Sequence, residues 1–289
     1  MSHEIGLDLT LLFWNNLVSI LVLIFIIYLA INYQFILFFI TTALSLIVAL
    51  LFLFQSNKDP ITNMGFIKLI LLLPLGLGVV IGFICLPESK QQKLLPWFTS
   101  YINFAVLTNI FVMIFANDGG TYRGIVSRFV CFFLLIWLLQ EMAKVNFQTS
   151  KINQNIFTFN SSPLSWIYCH AVYRIALLSL PTFDSTNFLL LEPMSLVVMV
   201  VFYQINQKRF PLPFYFGFAD TIVVTTLTVL MRYPIPLPFQ LKGPYFANLS
   251  EYQWDMIFVP IQLVLIGFVV RAIYKNRFES KDLQIVELK

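Results

Sequence analysis

Long runs of apolar residues, separated by short charged or proline-rich breaks, fill most of this 289-residue chain. A helix needs about 20 mostly apolar residues to cross a hydrocarbon layer of roughly 30 Å. Nine runs approach that length, and we predict that each forms a transmembrane helix. Their approximate bounds are 9–31, 35–54, 66–86, 96–116, 122–140, 163–183, 188–205, 213–231 and 254–274. Because the run over 188–205 is short, the prediction is eight to nine helices.

The composition supports a lipid environment. The chain is 59% hydrophobic and 11% charged, with a mean hydropathy of +0.83, whereas an ordinary soluble domain has about 25% charged residues. An aqueous core of this chain length could not bury so many apolar side chains. The predicted fold class is therefore all-α, a polytopic integral membrane helical bundle. A polar linker over 141–162 divides five predicted helices from four within one transmembrane domain, 1–289.

The distribution of lysine and arginine predicts the orientation, because these residues are enriched on the cytoplasmic side of membrane proteins. They follow the last predicted helix and occur in alternate loops, namely at Lys90, Lys93, Lys144, Lys151, Lys208, Arg209, Arg271, Lys275 and Arg277. We therefore expect a cytoplasmic C-terminus, an outer N-terminus and, given the short loops, a bacterial inner membrane. Four basic residues, Lys58, Lys68, Arg123 and Lys242, fall on the outer side and weaken this bias.

Ionisable residues within the predicted helices are the candidate functional groups, since charges in lipid are costly and normally face the bundle interior. His170 and Arg174 are four residues apart, so they share one helix face, and Tyr173 adjoins them. Asp220 lies in the run 213–231 at a similar predicted depth, near mid-membrane. We therefore predict that Arg174 and Asp220 pair, directly or through water.

A second pair is predicted nearer the outer side, where Glu192 and Arg128 each enter a helix by about two turns. The imidazole of His170 titrates near neutral pH and could exchange protons with a carboxylate. Together these side chains suggest a path for a small solute, an ion or a proton. The predicted path residues are Arg128, His170, Tyr173, Arg174, Glu192 and Asp220.

Three functional hypotheses follow from this cluster. The leading one is a transporter or channel-like protein that uses the path. The second is a membrane-embedded enzyme acting on a lipid or isoprenoid substrate, in which His170 is a general base and Arg174 binds a phosphate or carboxylate. The third is a non-catalytic scaffold or assembly subunit, in which the cluster is a static ion-pair network that fixes helix packing.

The sequence also argues against several classes of chemistry. Two histidines and three cysteines in separate segments give neither a zinc motif nor a complete disulfide framework. No phosphate-binding or dinucleotide motif occurs, so we predict no metal and no cofactor. The net charge of +4 is spread over loops, which excludes a nucleic-acid patch. The expected partners are the lipid bilayer and either a second copy of the chain or another membrane subunit. Glu141 and Lys144 are interpreted as a solvated pair at the membrane interface.

Overall fold

The computed structural model describes residues 9–54, 86–143, 151–153, 156–158, 162–181, 191–206 and 249–287. The predicted helix over 213–231, and the one over 66–86 except its last residue, lie outside these described residues. Seven helices occur in the described part: α1 Leu9–Asn32, α2 Gln34–Phe54, α3 Glu88–Ile114, α4 Tyr122–Met142, α5 Leu164–Leu178, α6 Leu191–Asn206 and α7 Glu251–Glu287.

Hydrophobic patterning predicts several of these helices closely. The bounds of α1, α2 and α4 agree with the predicted 9–31, 35–54 and 122–140 to within two residues. Within the described residues, three helices are long and apolar enough to cross a membrane: Ser89–Ile114, Tyr122–Met142 and Glu251–Arg277. An apolar helical bundle is thus confirmed for these three helices, while a total of eight to nine stays a prediction.

Two helices extend further in the structure than the sequence pattern predicted. The helix predicted over 96–116 begins at Glu88 as α3, because the Glu, Lys and Gln residues before Pro96 are good helix formers and extend it. Pro96 therefore lies inside the helix and not at its start. The helix predicted over 254–274 continues as α7 to Glu287 through a polar stretch of the same kind.

The helix predicted over 163–183 is instead too long. Pro163 is the N-cap of α5, which has 15 residues and ends before Ser179, so its length is about 22 Å. Pro181 explains the early stop, since a proline disfavours helical conformation in the residue before it. The Ser179 hydroxyl also donates a hydrogen bond to the Ala176 carbonyl and completes the last turn.

The prediction of an all-α fold is confirmed for the described residues, whose regular structure is helical apart from a short antiparallel hairpin in the polar linker. Strand β1, Lys151–Asn153, pairs with β2, Ile156–Thr158, with Ile152 opposite Phe157. Two residues separate the strands, which is the commonest hairpin connection. Three-residue strands are too short for a clear alternating pattern, so the sequence signal was missed.

Helix α4 is the centre of the described bundle, and α3, α5 and α7 pack on it. The Gln262 amide nitrogen donates to the Ser127 hydroxyl and that of Asn276 donates to Glu141, each at 2.5 Å. Both contacts advance by the same number of residues along each helix, so α4 and α7 run in parallel.

Helices α3 and α5 run antiparallel to α4. The Cys131 thiol donates to the Ile110 carbonyl of α3 at 3.2 Å, and the Trp166 indole donates to the Leu134 carbonyl of α4 at 2.9 Å. At the opposite end of α5, Ser179 contacts the start of α4. The buried residues of α4 alternate in spacing between four and three, which is the pattern of closely packed, nearly aligned helices. They include Arg123, Ser127, Val130, Leu134, Trp137 and Glu141.

The side chains that face away from the bundle are mainly large and apolar. On α4 and α7 they include Ile125, Phe129, Phe132, Leu139, Met256, Ile257, Leu263, Val264 and Phe268. The interface between these two helices contains buried polar side chains, including Ser127 and Gln262. This is the reverse of the distribution in a water-soluble bundle, whose exposed helix faces are polar.

The turn between α3 and α4 holds the start of α4 in place. Gly119 and Gly120 have φ values of 64° and 69°, a conformation that glycine adopts without strain. The Thr121 hydroxyl accepts a hydrogen bond from the Gly124 amide at 3.1 Å and caps α4. A Cβ atom on Gly124 would lie 2.7 Å from both Cα and Cβ of Asp118, and closer still to its carbonyl oxygen.

We therefore predict that Gly124→Ala lowers stability by about 1 to 3 kcal/mol, because the added methyl group forces the turn away from α4. The matched control is Gly267→Ala in α7, where no atom lies within 4 Å of the added Cβ. This control should be neutral or stabilising by up to about 1 kcal/mol, since alanine is the better helix former. Thermal unfolding of the purified proteins in detergent measures both effects. Equal midpoints for the two variants would contradict the close approach.

Candidate functional site

Arg123, the second residue of α4, lies at the junction of three helices with a fully buried side chain. A guanidinium group has five N–H donors, and here each has a partner. Nε donates to the Ser179 hydroxyl at 3.1 Å, and Nη2 donates to the Ser179 carbonyl at 2.8 Å and to the Glu251 carboxylate. Nη1 donates to the Asp255 carboxylate at 2.7 Å and to the Glu251 carbonyl at 3.2 Å.

Asp255 has a second role in this cluster, which is to cap α4. Its carboxylate accepts the backbone N–H groups of Tyr122 and Arg123 at 3.1 and 3.2 Å. These groups have no partner within the helix, and a negative charge is favourable at a helix N-terminus. The Asp255 side chain is 13% exposed and that of Glu251 is 55% exposed, so water screens Glu251 far more.

The hydrogen bonds of Arg123 determine whether this cluster can bind a ligand. All of its donors are occupied by the protein, so binding a substrate anion there would first require breaking an internal contact. The cluster is therefore a structural junction that fixes the start of α4, the end of α5 and the start of α7 at one level. This corrects the interpretation of Arg123 as an ordinary basic residue of an outer loop.

Arg128, a predicted path residue, is bound to the turn before α4. Its Nε and Nη2 donate to the Ala116 carbonyl at 3.1 and 2.9 Å, and Nη1 lies 3.0 Å from the Asp118 carboxylate. Asp118 was not among the predicted partners of Arg128. Glu192 belongs to the first turn of α6, but its side chain lies outside the description, so the predicted pair with Arg128 is untested.

Three other path residues lie on α5. The His170 ring stacks on that of Trp166, with ring centroids 4.8 Å apart and an angle of 14° between the planes. Tyr173 is 1% exposed, whereas His170 and Arg174 are half-buried. At 100° per residue, His170 and Arg174 project between the directions of Trp166 and Ile167, both of which are buried. They therefore face the protein side of α5.

The early end of α5 determines how far Arg174 lies from the Arg123 cluster. Arg174 is five residues before Ser179, or about 7 to 8 Å along the axis from the Arg123 cluster. Its mid-membrane depth stays a prediction. Asp220 lies outside the described residues, so its pairing with Arg174 stays a prediction.

Glu141 at the other end of α4 also differs from expectation. It is 8% exposed, and its carboxylate accepts hydrogen bonds from the Trp137 indole at 3.0 Å and the Asn276 amide at 2.5 Å. The interpretation as a solvated surface group is therefore wrong. Lys144 lies outside the described residues.

Sequence reasoning missed the acidic partners of Arg123. Glu251 and Asp255 are four residues apart, a spacing that places two side chains on one face of a helix, and this was the available signal. The helix predicted over 254–274 included only Asp255. Which helix contacts these two acids depends on packing between segments more than 120 residues apart. Hydrophobic periodicity carries no information about such distant contacts.

No His, Cys, Asp and Glu side chains in the described part of the chain form a group of three or more that could hold a metal ion. Similarity to known proteins gives no assignment either. No protein-family model matches the sequence, and neither the curated proteins nor the solved structures match it significantly.

Asp255 is more buried than Glu251, so we predict that replacing Asp255 lowers the stability of the protein more than replacing Glu251 does. Asp255→Ala should lower the free energy of unfolding by about 3 to 5 kcal/mol. It leaves the buried guanidinium of Arg123 without one of its two carboxylate partners and removes the acceptor of the first N–H groups of α4. Glu251→Ala, the matched control, should cost about 1 kcal/mol or less, since water can replace its half-exposed carboxylate. Thermal unfolding in detergent tests this ranking. Equal losses of stability would show that Asp255 has no special position.

Proposed function

We propose that this chain is an integral membrane bundle of eight to nine transmembrane helices. The observation that supports this is the reversed polarity of the described bundle, with apolar side chains outside and polar pairs within the α4–α7 interface. Water would disfavour such a surface, whereas lipid favours it. The lengths of α1 and α2, 24 and 21 residues, are also sufficient to cross a hydrocarbon layer.

The helix directions support the proposed count in the second half of the chain. Because α5 is antiparallel to α4 and α7 is parallel to it, an even number of crossings must separate α5 from α7 if all three span the membrane. The predicted helices over 188–205 and 213–231 supply that even number. The proposed order of alternating crossings is therefore consistent with the packing of α4, α5 and α7.

Charge at the two ends of the bundle supports the proposed orientation. The end formed by the start of α3 and the last turns of the α7 span carries Lys90, Lys93, Arg271, Lys275 and Arg277. The two arginines that the structure describes at the other end, Arg123 and Arg128, are paired with acids. The positive-inside rule then assigns the basic end to the cytoplasm. The proposed membrane is a bacterial inner membrane.

Cysteines at the two ends test the orientation. Asn117 and Lys90 are both exposed and lie at opposite ends of α3. In a background with all three native cysteines replaced by alanine, an impermeant thiol reagent should label Asn117→Cys in intact cells. Lys90→Cys should react only after the membrane is opened. The reverse pattern would invert the orientation, and labelling of both in intact cells would contradict a transmembrane α3.

We further propose that the protein moves a small solute, an ion or a proton along the protein side of α5. The observation that supports this proposal is that His170 and Arg174 are half-buried and project between the buried side chains of Trp166 and Ile167. Arg174 would hold an anion or a carboxylate, and His170 would exchange protons with water. Glu192 and Asp220 would supply the carboxylates of the path, with Arg128 and Tyr173 lining it.

A scaffold or assembly role is the second candidate, and a specific observation favours it. The donors of Arg123 are all taken up inside the protein, and Glu141 is likewise engaged by Trp137 and Asn276. Such satisfied buried networks fix one packing arrangement. A scaffold needs this rigidity throughout, whereas a transporter needs it only beside a part that admits water.

Aqueous accessibility along α5 separates the two candidates. In the same cysteine-free background, single cysteines at positions 170 and 174 should react with a charged thiol reagent if water enters the path. Two matched controls on the same helix should stay unreactive: Ala176→Cys, whose parent side chain is buried, and Tyr168→Cys, whose parent side chain is 44% exposed and faces outward into lipid.

The outcomes have distinct meanings. Reaction at 170 and 174 alone supports the transport proposal. No reaction at either position, together with a lower unfolding temperature of both variants, supports the scaffold. Equal reaction at 168, 170 and 174 would contradict a lipid-exposed face of α5.

A further inference from the structure

Two polar atoms in the core of the bundle have no hydrogen-bond partner within the described part of the chain. They are Oε1 of Gln262 on α7 and the hydroxyl oxygen of Tyr173 on α5. The two side chains are 0% and 1% exposed, so protein encloses both of them. Leaving a buried polar group without a partner is costly, and such groups normally bond to protein or to an ordered water molecule.

The two side chains lie at similar levels along the bundle. Tyr173 is six residues before Ser179 on α5, and Gln262 is seven residues after Asp255 on α7. Ser179 and Asp255 both contact Arg123, so these two side chains start about 9 Å and about 10 to 11 Å from one common point. Both distances run toward the same end of the bundle, because α5 is antiparallel and α7 parallel to α4.

Helix α4 brings the two unpartnered atoms to one of its faces. The Gln262 amide contacts the Ser127 hydroxyl at 2.5 Å, and the Tyr173 hydroxyl faces the Cys131 thiol. Ser127 and Cys131 are four residues apart, so they share this face and are separated by about 6 Å along the axis. The thiol donates its proton to the Ile110 carbonyl, and sulfur is a weak acceptor, so it does not satisfy the tyrosine.

A single water molecule matches this separation and these groups. Two hydrogen bonds of about 2.8 Å that meet at one water span up to about 5.6 Å. Water can donate to Gln262 Oε1 and accept from the hydroxyl groups of Tyr173 and Ser127, which makes the three bonds typical of a buried water. With the amide turned over, the same water would accept from its NH2 group. All three side chains are neutral, which favours a neutral ligand over an ion.

We propose that Ser127, Tyr173 and Gln262 bind one water molecule in the core between α4, α5 and α7. Its hydrogen bonds join the three helices at a second level, beyond the Arg123 cluster. Lipid offers no polar group to replace such a partner, so the water is part of the packed structure. This inference rests on the packing of the three helices and is independent of transport.

Hydroxyl-radical footprinting of the purified full chain in detergent tests the proposal. A short X-ray pulse converts water into hydroxyl radicals, which oxidise the side chains in contact with it, and mass spectrometry locates the oxidised residues. Tyr173 should be oxidised at a rate comparable to that of Tyr122, although the two side chains are 1% and 73% exposed. Gln262→Met keeps the length of the side chain without its amide. It should lower the rate at Tyr173 about tenfold, since the water loses a hydrogen bond.

The matched control is Gln140→Met on α4. Gln140 also has a buried Oε1 without a partner in the described part of the chain, but it lies about 20 Å along the helix from Ser127. This control should leave the oxidation of Tyr173 unchanged. Absence of oxidation at Tyr173 in the wild type, or an equal loss in both variants, would overturn the proposal. Undiminished oxidation in Gln262→Met would also overturn it, because water would then reach Tyr173 from the proposed path beside His170.

The thermal midpoint of Tyr173→Phe gives a second test, which does not depend on the folding of Gln262→Met. With the water bound, loss of the hydroxyl should lower the midpoint by about 2 to 4 °C, because the water loses one of its partners. A higher midpoint would overturn the proposal, since it would mean that the variant removes a buried hydroxyl without any partner. Tyr122→Phe removes the same hydroxyl from an exposed side chain and should leave the midpoint unchanged.

Discussion

A buried guanidinium group needs an acceptor for each of its five donors, and this need fixes the described bundle. Ser179, Glu251 and Asp255 meet it only if the end of α5 and the start of α7 lie beside the start of α4. Removing a charge from water without partners costs several kcal/mol, so other alignments of these helices are disfavoured. The direction and level of α5 and α7 relative to α4 follow from this one side chain.

The rest of the α4–α7 interface extends the same arrangement. Ser127 with Gln262 and Glu141 with Asn276 continue the alignment toward the opposite end. Between lipid-exposed helices there is little hydrophobic driving force, so polar contacts and close packing provide specificity. In the proposed membrane placement, the apolar outer faces and the polar interface both follow from the lipid environment, and the Arg123 cluster sets the register in which the polar groups meet.

The hydrophobic pattern of the sequence predicted the bounds of the helices better than it predicted the contacts between them. The bounds of α4 were close because a long apolar run between polar breaks suffices to define a helix in lipid. The end of α5 was missed since Leu180 and Phe183 extend the apolar run as far as the polar residues 184–187, and only Pro181 signals the earlier stop. The partners of Arg123 and Glu141 were missed because they lie on a distant segment, and hydrophobic periodicity reports burial without naming the neighbour.

Charge counting from sequence treated all loop cations alike, and the structure shows why that weakened the predicted orientation. Arg123 and Arg128 are neutralised within the protein, by Glu251 with Asp255 and by Asp118. A neutralised arginine contributes little to the attraction of a chain end for the cytoplasmic surface. The same distinction applies to function: a saturated cation holds helices together, and only a cation that can exchange its partner can bind a ligand.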